Sequence, residues 1–217
     1  MTCESGGQRE RDWNRSILRW ESAMSAKYEF KEQDFEHPSV LFVLEDMLKC
    51  LIGGFLLYNP HFRTFGLKGD ETVLDFGCGG GAGSKCLAKL LNNGGNLTCT
   101  DTSKFWIVKA TKRLKNYPNV RCHVGDIRES DIPDSSFDVI SVINVIHDIA
   151  PADRRETVRV LSRKLKVGGT FFIRERIKES HGMAVCEIRT LLSIAGLKEI
   201  EHKETKSAFV GKYQKTC

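Results

Sequence analysis

Val73-Leu74-Asp75-Phe76-Gly77-Cys78-Gly79-Gly80-Gly81-Ala82-Gly83 is the stretch on which the reading of this chain turns. Thr72 to Phe76 is apolar enough to predict a buried strand, and a helix is predicted from about 83 to 91. Between them lies a glycine-rich turn. Glycines there let the backbone bend sharply and let a ligand approach main-chain atoms.

Working outward, the same alternation repeats. Strands are predicted over 96–100, 120–124, 137–143 and 170–174, and helices over 104–116, 152–165 and 183–195. Asn92-Asn93-Gly94-Gly95, Gly168-Gly169 and Gly196 stop the helices before their strands. Such alternation implies a mostly parallel sheet with both faces covered. Two last strands, near 197–203 and 207–214, are joined by a short polar turn and predict an antiparallel hairpin at the sheet edge.

The chain has 217 residues, which suits one α/β domain with a short appended segment. We divide it into an N-terminal helical segment, 1–65, disordered at its start, and a main domain, 66–217. A helix is expected around Trp13 to Met24, and one or two more over 38–58. The main domain has no long insertion, so any lid must come from the N-terminal segment. That segment holds Trp13, Trp20, Tyr28, Phe30, Phe35, Phe42, Phe55, Tyr58 and Phe62. They suit an apolar or aromatic small-molecule partner, although packing on the sheet would use them equally well.

Charge narrows the partners further. A net charge of +5 falls well short of what a nucleic-acid binder carries, so nucleic acid is not the expected partner. Lys104, Lys109, Lys112, Arg113 and Lys115 read as a solvated helix face. Ser39 to Tyr58 is largely apolar, but Glu45, Asp46 and Lys49 oppose a membrane span. An amphipathic helix capping a pocket is expected there, with a peripheral membrane contact as the other reading. Eight cysteines form no C-x-x-C pair, and no metal site is visible. With no signal peptide ahead of them, reduced cysteines and a cytoplasmic location are expected.

The acidic residues around the turn describe a ligand. Asp101 ends the second strand, where its carboxylate can accept hydrogen bonds from both hydroxyls of a ribose. Gly77, Gly79 and Ala82 fit a loose dinucleotide fingerprint, so Asp101 alone leaves an NAD-type cofactor open. Asp75 argues the other way, since a carboxylate ahead of the glycines would repel a pyrophosphate and suit a cationic amino-acid moiety. Asp126, in Gly125-Asp126-Ile127, supplies an acceptor for an adenine amino group.

Together these motifs resemble the class I S-adenosylmethionine (SAM)-dependent methyltransferases. That family's acidic-x-G-x-G-x-G motif stands here as Asp75-Phe76-Gly77-Cys78-Gly79-Gly80-Gly81. Its ribose-binding acid matches Asp101, and its adenine-side acid matches Asp126. Ser136-Phe137-Asp138-Val139-Ile140 and the stretch from Val160 to Gly169 match its fourth strand and the approach to its fifth. The resemblance covers about 70–214. It implies a seven-stranded, doubly wound sheet in the order 3-2-1-4-5-7-6, with strand 7 antiparallel and an N-terminal helical lid. It implies SAM as cofactor, held by Asp75, Gly77, Cys78, Gly79 and Gly81 on the first loop. Asp101 and Thr102 would follow on the second, with Asp126, Ile127 and Asn144 completing the set.

The acceptor is read from Asn144-Val145-Ile146-His147-Asp148-Ile149, after strand four. The segment lacks the Asn/Asp-Pro-Pro-aromatic signature of exocyclic amine methylation. No cysteine lies between 122 and 186, which argues against cytosine C5 and arsenite chemistry. Val145-Ile146-His147-Asp148, with Glu175 after strand five, resembles small-molecule O-methyltransferases of the caffeic-acid type, although Ile149 stands where those carry tryptophan. That match implies His147 as general base and Glu175 as the acid that orients it. The expectation is a methyltransferase acting on a small molecule, with a hydroxyl favoured. A non-catalytic SAM-binding subunit and a protein or RNA methyltransferase are the alternatives.

Overall fold

The computed structural model describes Tyr28, Phe30, residues 32–48, Ile52 and residues 58–216. The expected helix at 13–24 and the aromatics Trp13, Trp20 and Phe55 lie outside the described residues. Two short helices lead in, α1 (Val40–Leu48) and α2 (Asn59–Arg63). The alternating core follows: β1 (Thr72–Phe76), α3 (Ala82–Leu90), β2 (Asn96–Asp101), α4 (Lys104–Leu114), β3 (Val120–Val124) and β4 (Phe137–Ile143). A 3-10 turn (Ile146–Asp148), absent from the sequence reading, then leads to α5 (Pro151–Lys164), β5 (Leu165–Arg176), α6 (Val185–Ile194), β6 (Leu197–Glu204) and β7 (Ala208–Lys215).

The seven strands lie in the order β3-β2-β1-β4-β5-β7-β6. β7 runs antiparallel to both its neighbours, and the other pairings are parallel. This is the expected doubly wound sheet.

The two faces follow from the side-chain period of a strand, which is two. Val73, Val139 and Phe172 point to one face, where they pack with Leu87 of α3, Ala110 and Leu114 of α4, and Phe62 and Phe65. Their neighbours Leu74, Ile140 and Phe171 point to the other face and pack with Leu161 of α5 and Ile188 and Leu192 of α6. The Phe65 and Phe172 rings stack with centroids 3.6 Å apart, fixing the N-terminal approach to the sheet.

β5 differs from the reading. α5 ends at Lys164, and Leu165 pairs at once with Phe137. The register then jumps, so that Thr170 faces Val139. Gly168, at φ +79°, sits inside this irregularity rather than in a loop before the strand.

α1 exposes most of its apolar residues, Val40 and Leu41 each at 77%. No helix among the described residues is long and apolar enough to cross a membrane. No disulfide links the described cysteines.

Candidate active site

A cleft of about 530 Å³ opens at the carboxyl ends of β1, β2 and β4. That is where open α/β sheets bind ligands, and the volume lies within the roughly 300–1,000 Å³ of small-molecule pockets. Gly77, Cys78, Gly79 and Gly80 form one wall, Asp101 and Thr102 the next, and Asp126 and Ile127 a third. Asn144, Val145 and Asp148 come from the chain after β4. Phe30, Phe35, Phe42 and Tyr58 close the cleft from the N-terminal side.

The glycine loop is tied to its neighbours at both ends. The Gly77 and Cys78 amides donate to the Thr100 carbonyl, at 2.8 and 3.0 Å. The Gly79 amide donates to Asp101 Oδ2 at 2.8 Å, while Asp101 Oδ1 accepts from Ser103 N. Gly77 has φ +69°, and a Cβ there would lie 2.4 Å from Val145 Cγ2, so only glycine lets the two loops touch. Asn144, at φ +56°, carries the left-handed turn that brings Val145 to this contact.

Two residues expected on the cleft wall are not there. Asp75 is 5% exposed and its Oδ2 accepts from Ser84 Oγ at 2.6 Å, behind the loop. Strand alternation explains this: Asp75 shares a face with Val73, beneath α3, and so meets the first turn of that helix. Burial pushes its pKa up to about 6, against the pull of the Ser84 and Ser141 hydroxyls. Gly81, at φ +78°, turns the chain into α3, and a Cβ there would come within 3.2 Å of Ala110. Its role is to let α3 and α4 approach.

Asp126 is on the wall, but its carboxylate is engaged. Arg128 donates to both oxygens through its backbone amide, Nε and Nη2, and joins Asp126 to Asp153. The arginine hydrogen bond holds Asp126 below the usual carboxylate range, although burial opposes it. An adenine amino group would have to share these acceptors.

The N-terminal segment is anchored over the cofactor side. Glu36 accepts from the Lys104 amide at 2.6 Å and so caps α4, while Ser103 Oγ donates to the Phe35 carbonyl. Phe42 meets the Trp106 ring edge-on at 5.6 Å. Four residues on, on the same helical face, Asp46 pairs with Arg113 at 3.0 Å. Arg113 also donates to the Gly80 carbonyl. The basic face expected on α4 is therefore only partly solvated: Arg113 turns inward, and Lys109 lies over the Phe105 and Trp106 rings. Asp46, Arg113, Arg128 and Glu36 were missed in the sequence because their partners lie far along the chain or follow no motif.

His147 and Glu175 come together. His147 Nδ1 lies 2.6 Å from Glu175 Oε2, and Glu175 Oε1 accepts from the Val145 and Ile146 amides. Glu175 is fully buried and His147 is 5% exposed. Burial opposes the imidazolium, but the Glu175 hydrogen bond and the charges of Glu175 and Asp148 outweigh it and raise the His147 pKa. Neither residue reaches the wall of the cleft. Asp148 does, with Oδ1 3.6 Å from His147 Nε2.

These residues fit SAM. Nothing lies within 4 Å of where a Gly79 Cβ would stand, leaving main-chain atoms open to a ligand. An ionised carboxylate offers about four acceptor sites. Asp101 uses two of them on Gly79 and Ser103, which leaves two for a ribose.

Comparison with known proteins agrees with the geometry. Residues 73–169 match the methyltransferase domain family. The tRNA N(3)-cytidine methyltransferase METTL2 of Danio rerio is 31% identical over 139 residues, 60% of this chain and 39% of that protein. A second curated relative, an uncharacterized 37.1 kDa transposon protein of Streptomyces fradiae, is 30% identical over 105 residues, 48% of this chain and 30% of that protein. The chain thus spans well under half the length of both. Among solved structures, a SAM-dependent methyltransferase from Aquifex aeolicus superposes with a TM-score of 0.67 at 20% identity, covering 74% of this chain and 90% of that one. A sheet of this order, a glycine loop closed onto a strand-two acid and the matched region lead to one reading: residues 73–169 match a methyltransferase domain, and the chain has the Rossmann-like fold of the class I, S-adenosylmethionine-dependent methyltransferases.

Proposed function

We propose that the chain transfers a methyl group from SAM to a hydroxyl of a small apolar or aromatic acceptor. The observation that carries this reading is the lining of the cleft: bordered by Phe30, Phe35, Phe42 and Tyr58, and reached by a buried acid–histidine pair only through Asp148. Bound SAM supplies a methyl carbon already activated by its sulfonium. Gly79 and Asp101 hold the cofactor, and the aromatic roof excludes water and orients the acceptor. The chain Asp148–His147–Glu175 borders the acceptor side, where a hydroxyl must give up its proton.

A second reading, an RNA methyltransferase, is favoured by the 31% identity to METTL2. Incubation of the full chain with methyl-labelled SAM, a panel of phenols and hydroxy acids, and bulk tRNA separates the two. Label in a small phenol or alcohol supports the first reading. Label in tRNA alone replaces it with the second.

A further inference from the structure

We propose that His147, Asp148 and His181 form a binding site for a first-row divalent metal ion, zinc by preference, on the wall of the acceptor cleft. The ligand atoms of the three residues all lie within 4.8 Å of one another. Asp148 Oδ1 stands 3.6 Å from His147 Nε2 and 3.4 Å from His181 Nε2. The two imidazole rings meet edge to face at 4.8 Å.

The Glu175 hydrogen bond turns one lone pair into the cluster. Glu175 can only accept, so the Nδ1 that faces it carries the proton and His147 Nε2 carries the lone pair. The Gln33 side-chain amide faces His181 Nε2 at 3.4 Å, a long contact that a metal ion on that nitrogen would displace. Asp148 Oδ1 is buried and accepts no hydrogen bond. With His147 neutral, its Nε2 and the Asp148 Oδ1 thus face each other, with His181 Nε2 beside the same oxygen, and a metal ion would take the place a proton holds between them.

Geometry and chemistry suit a metal. A tetrahedral zinc with bonds of about 2.1 Å sets its ligands roughly 3.4 Å apart, close to the two distances measured here. Two imidazoles and one carboxylate favour zinc, iron or manganese over calcium or magnesium. Glu175 supplies the outer carboxylate that orients a metal-bound histidine. The loop after β5 is bent to deliver His181: its amide donates to the Lys178 carbonyl, and a Cβ at Gly182 would lie 2.5 Å from the Arg176 carbonyl oxygen. Asp148 lines the cleft, so a metal held there would border the acceptor, and a hydroxyl bound to it would have a lowered pKa. Nothing in the sequence signals the site, since His181 lies far from His147 and outside any ligand spacing.

Metal binding is read without cofactor or acceptor, so its failure is separate from any failure of the methyl-transfer reading. Tag-free full chain, stripped with chelator, is titrated calorimetrically with zinc alone, alongside His181→Ala and Asp148→Asn. His181 is partly exposed, and melting curves check that each variant folds. One equivalent of zinc is expected, bound at least about tenfold more weakly by both variants, since even outer-shell losses cost 10–100-fold. Saturating zinc should also raise the melting temperature of the parent chain and not that of His181→Ala. No saturable binding below about 1 mM, a weak limit of roughly 4 kcal/mol, would overturn the proposal. So would equal affinity in the parent and His181→Ala, which would put the ion on other residues.

Discussion

The Gly79 amide donates to the Asp101 carboxylate across 2.8 Å, joining the glycine loop after β1 to the end of β2. One side chain therefore both shapes the loop and keeps acceptor capacity for a ribose. Asp101→Ala should weaken SAM binding by at least about tenfold to 150-fold, since a single hydrogen bond to a charged group contributes about 1.5–3 kcal/mol. Calorimetry measures this. Unchanged affinity in a folded variant would remove Asp101 from the ribose site.

Glu175 tests the acid–histidine pair without touching the cleft. In Glu175→Gln the remaining oxygen can keep the Val145 and Ile146 amides, but an NH₂ then faces the His147 Nδ1–H. The imidazole must change tautomer or rotate. Turnover should fall by roughly 10²-fold or more, as in other sites that lose tautomer control. SAM affinity should stay within about twofold, because Glu175 is absent from the cleft wall. Parallel loss of both would mean that Glu175 only supports the fold.

Asp46 carries the prediction for the lid. Its pair with Arg113 is mostly buried, with 13% and 19% of the two side chains exposed, so removing one partner costs more than breaking a surface ion pair. Asp46→Ala should release α1 from the glycine loop. Hydrogen exchange at residues 40–48 should speed up and SAM should dissociate severalfold faster, while the sheet keeps its protection. Unchanged exchange in α1 would show that Phe42 on Trp106 suffices to hold it.

Asp75 gives a pH dependence of definite sign. Its pKa of about 6 in the folded chain lies above the ordinary 3.8. The folded state therefore holds this proton longer than the unfolded one. The stabilising contribution is full below about pH 4 and is lost as pH rises through 6. Two units correspond to on the order of 3 kcal/mol. Asp75→Asn keeps an acceptor for Ser84 and does not titrate. Its stability relative to the parent, from urea melts, should rise between pH 4 and 7 and then level off. A difference that stays flat with pH would mean that burial does not raise this carboxylate.

The central strands β1, β4 and β5 were legible as apolar runs bordered by glycine or asparagine, and the alternation of strands with helices left one sheet to build. The hairpin at the edge followed from the polar turn between β6 and β7. What the motif could not say is which way a side chain points. Asp75 occupies the family's acidic position, yet the two-residue period of β1 turns it under α3. Gly81 belongs to the glycine run but serves a helix contact. Pairings across the fold left no trace at all. Arg113 reads as one more basic residue on a solvated helix until α1 is placed beside it, and His181 gains meaning only when the loop after β5 brings it to His147. Arg128, two residues beyond Asp126, was the one partner that local spacing could have suggested.

The central claim is that this cleft is a SAM site. Calorimetric titration of the purified chain with SAM, S-adenosylhomocysteine and NAD in parallel tests it most directly. Saturable binding of the first two at one per chain, with none for NAD, is the expected result. Binding of NAD alone would contradict the account, and would mean that the Asp101 carboxylate serves the ribose of a different cofactor.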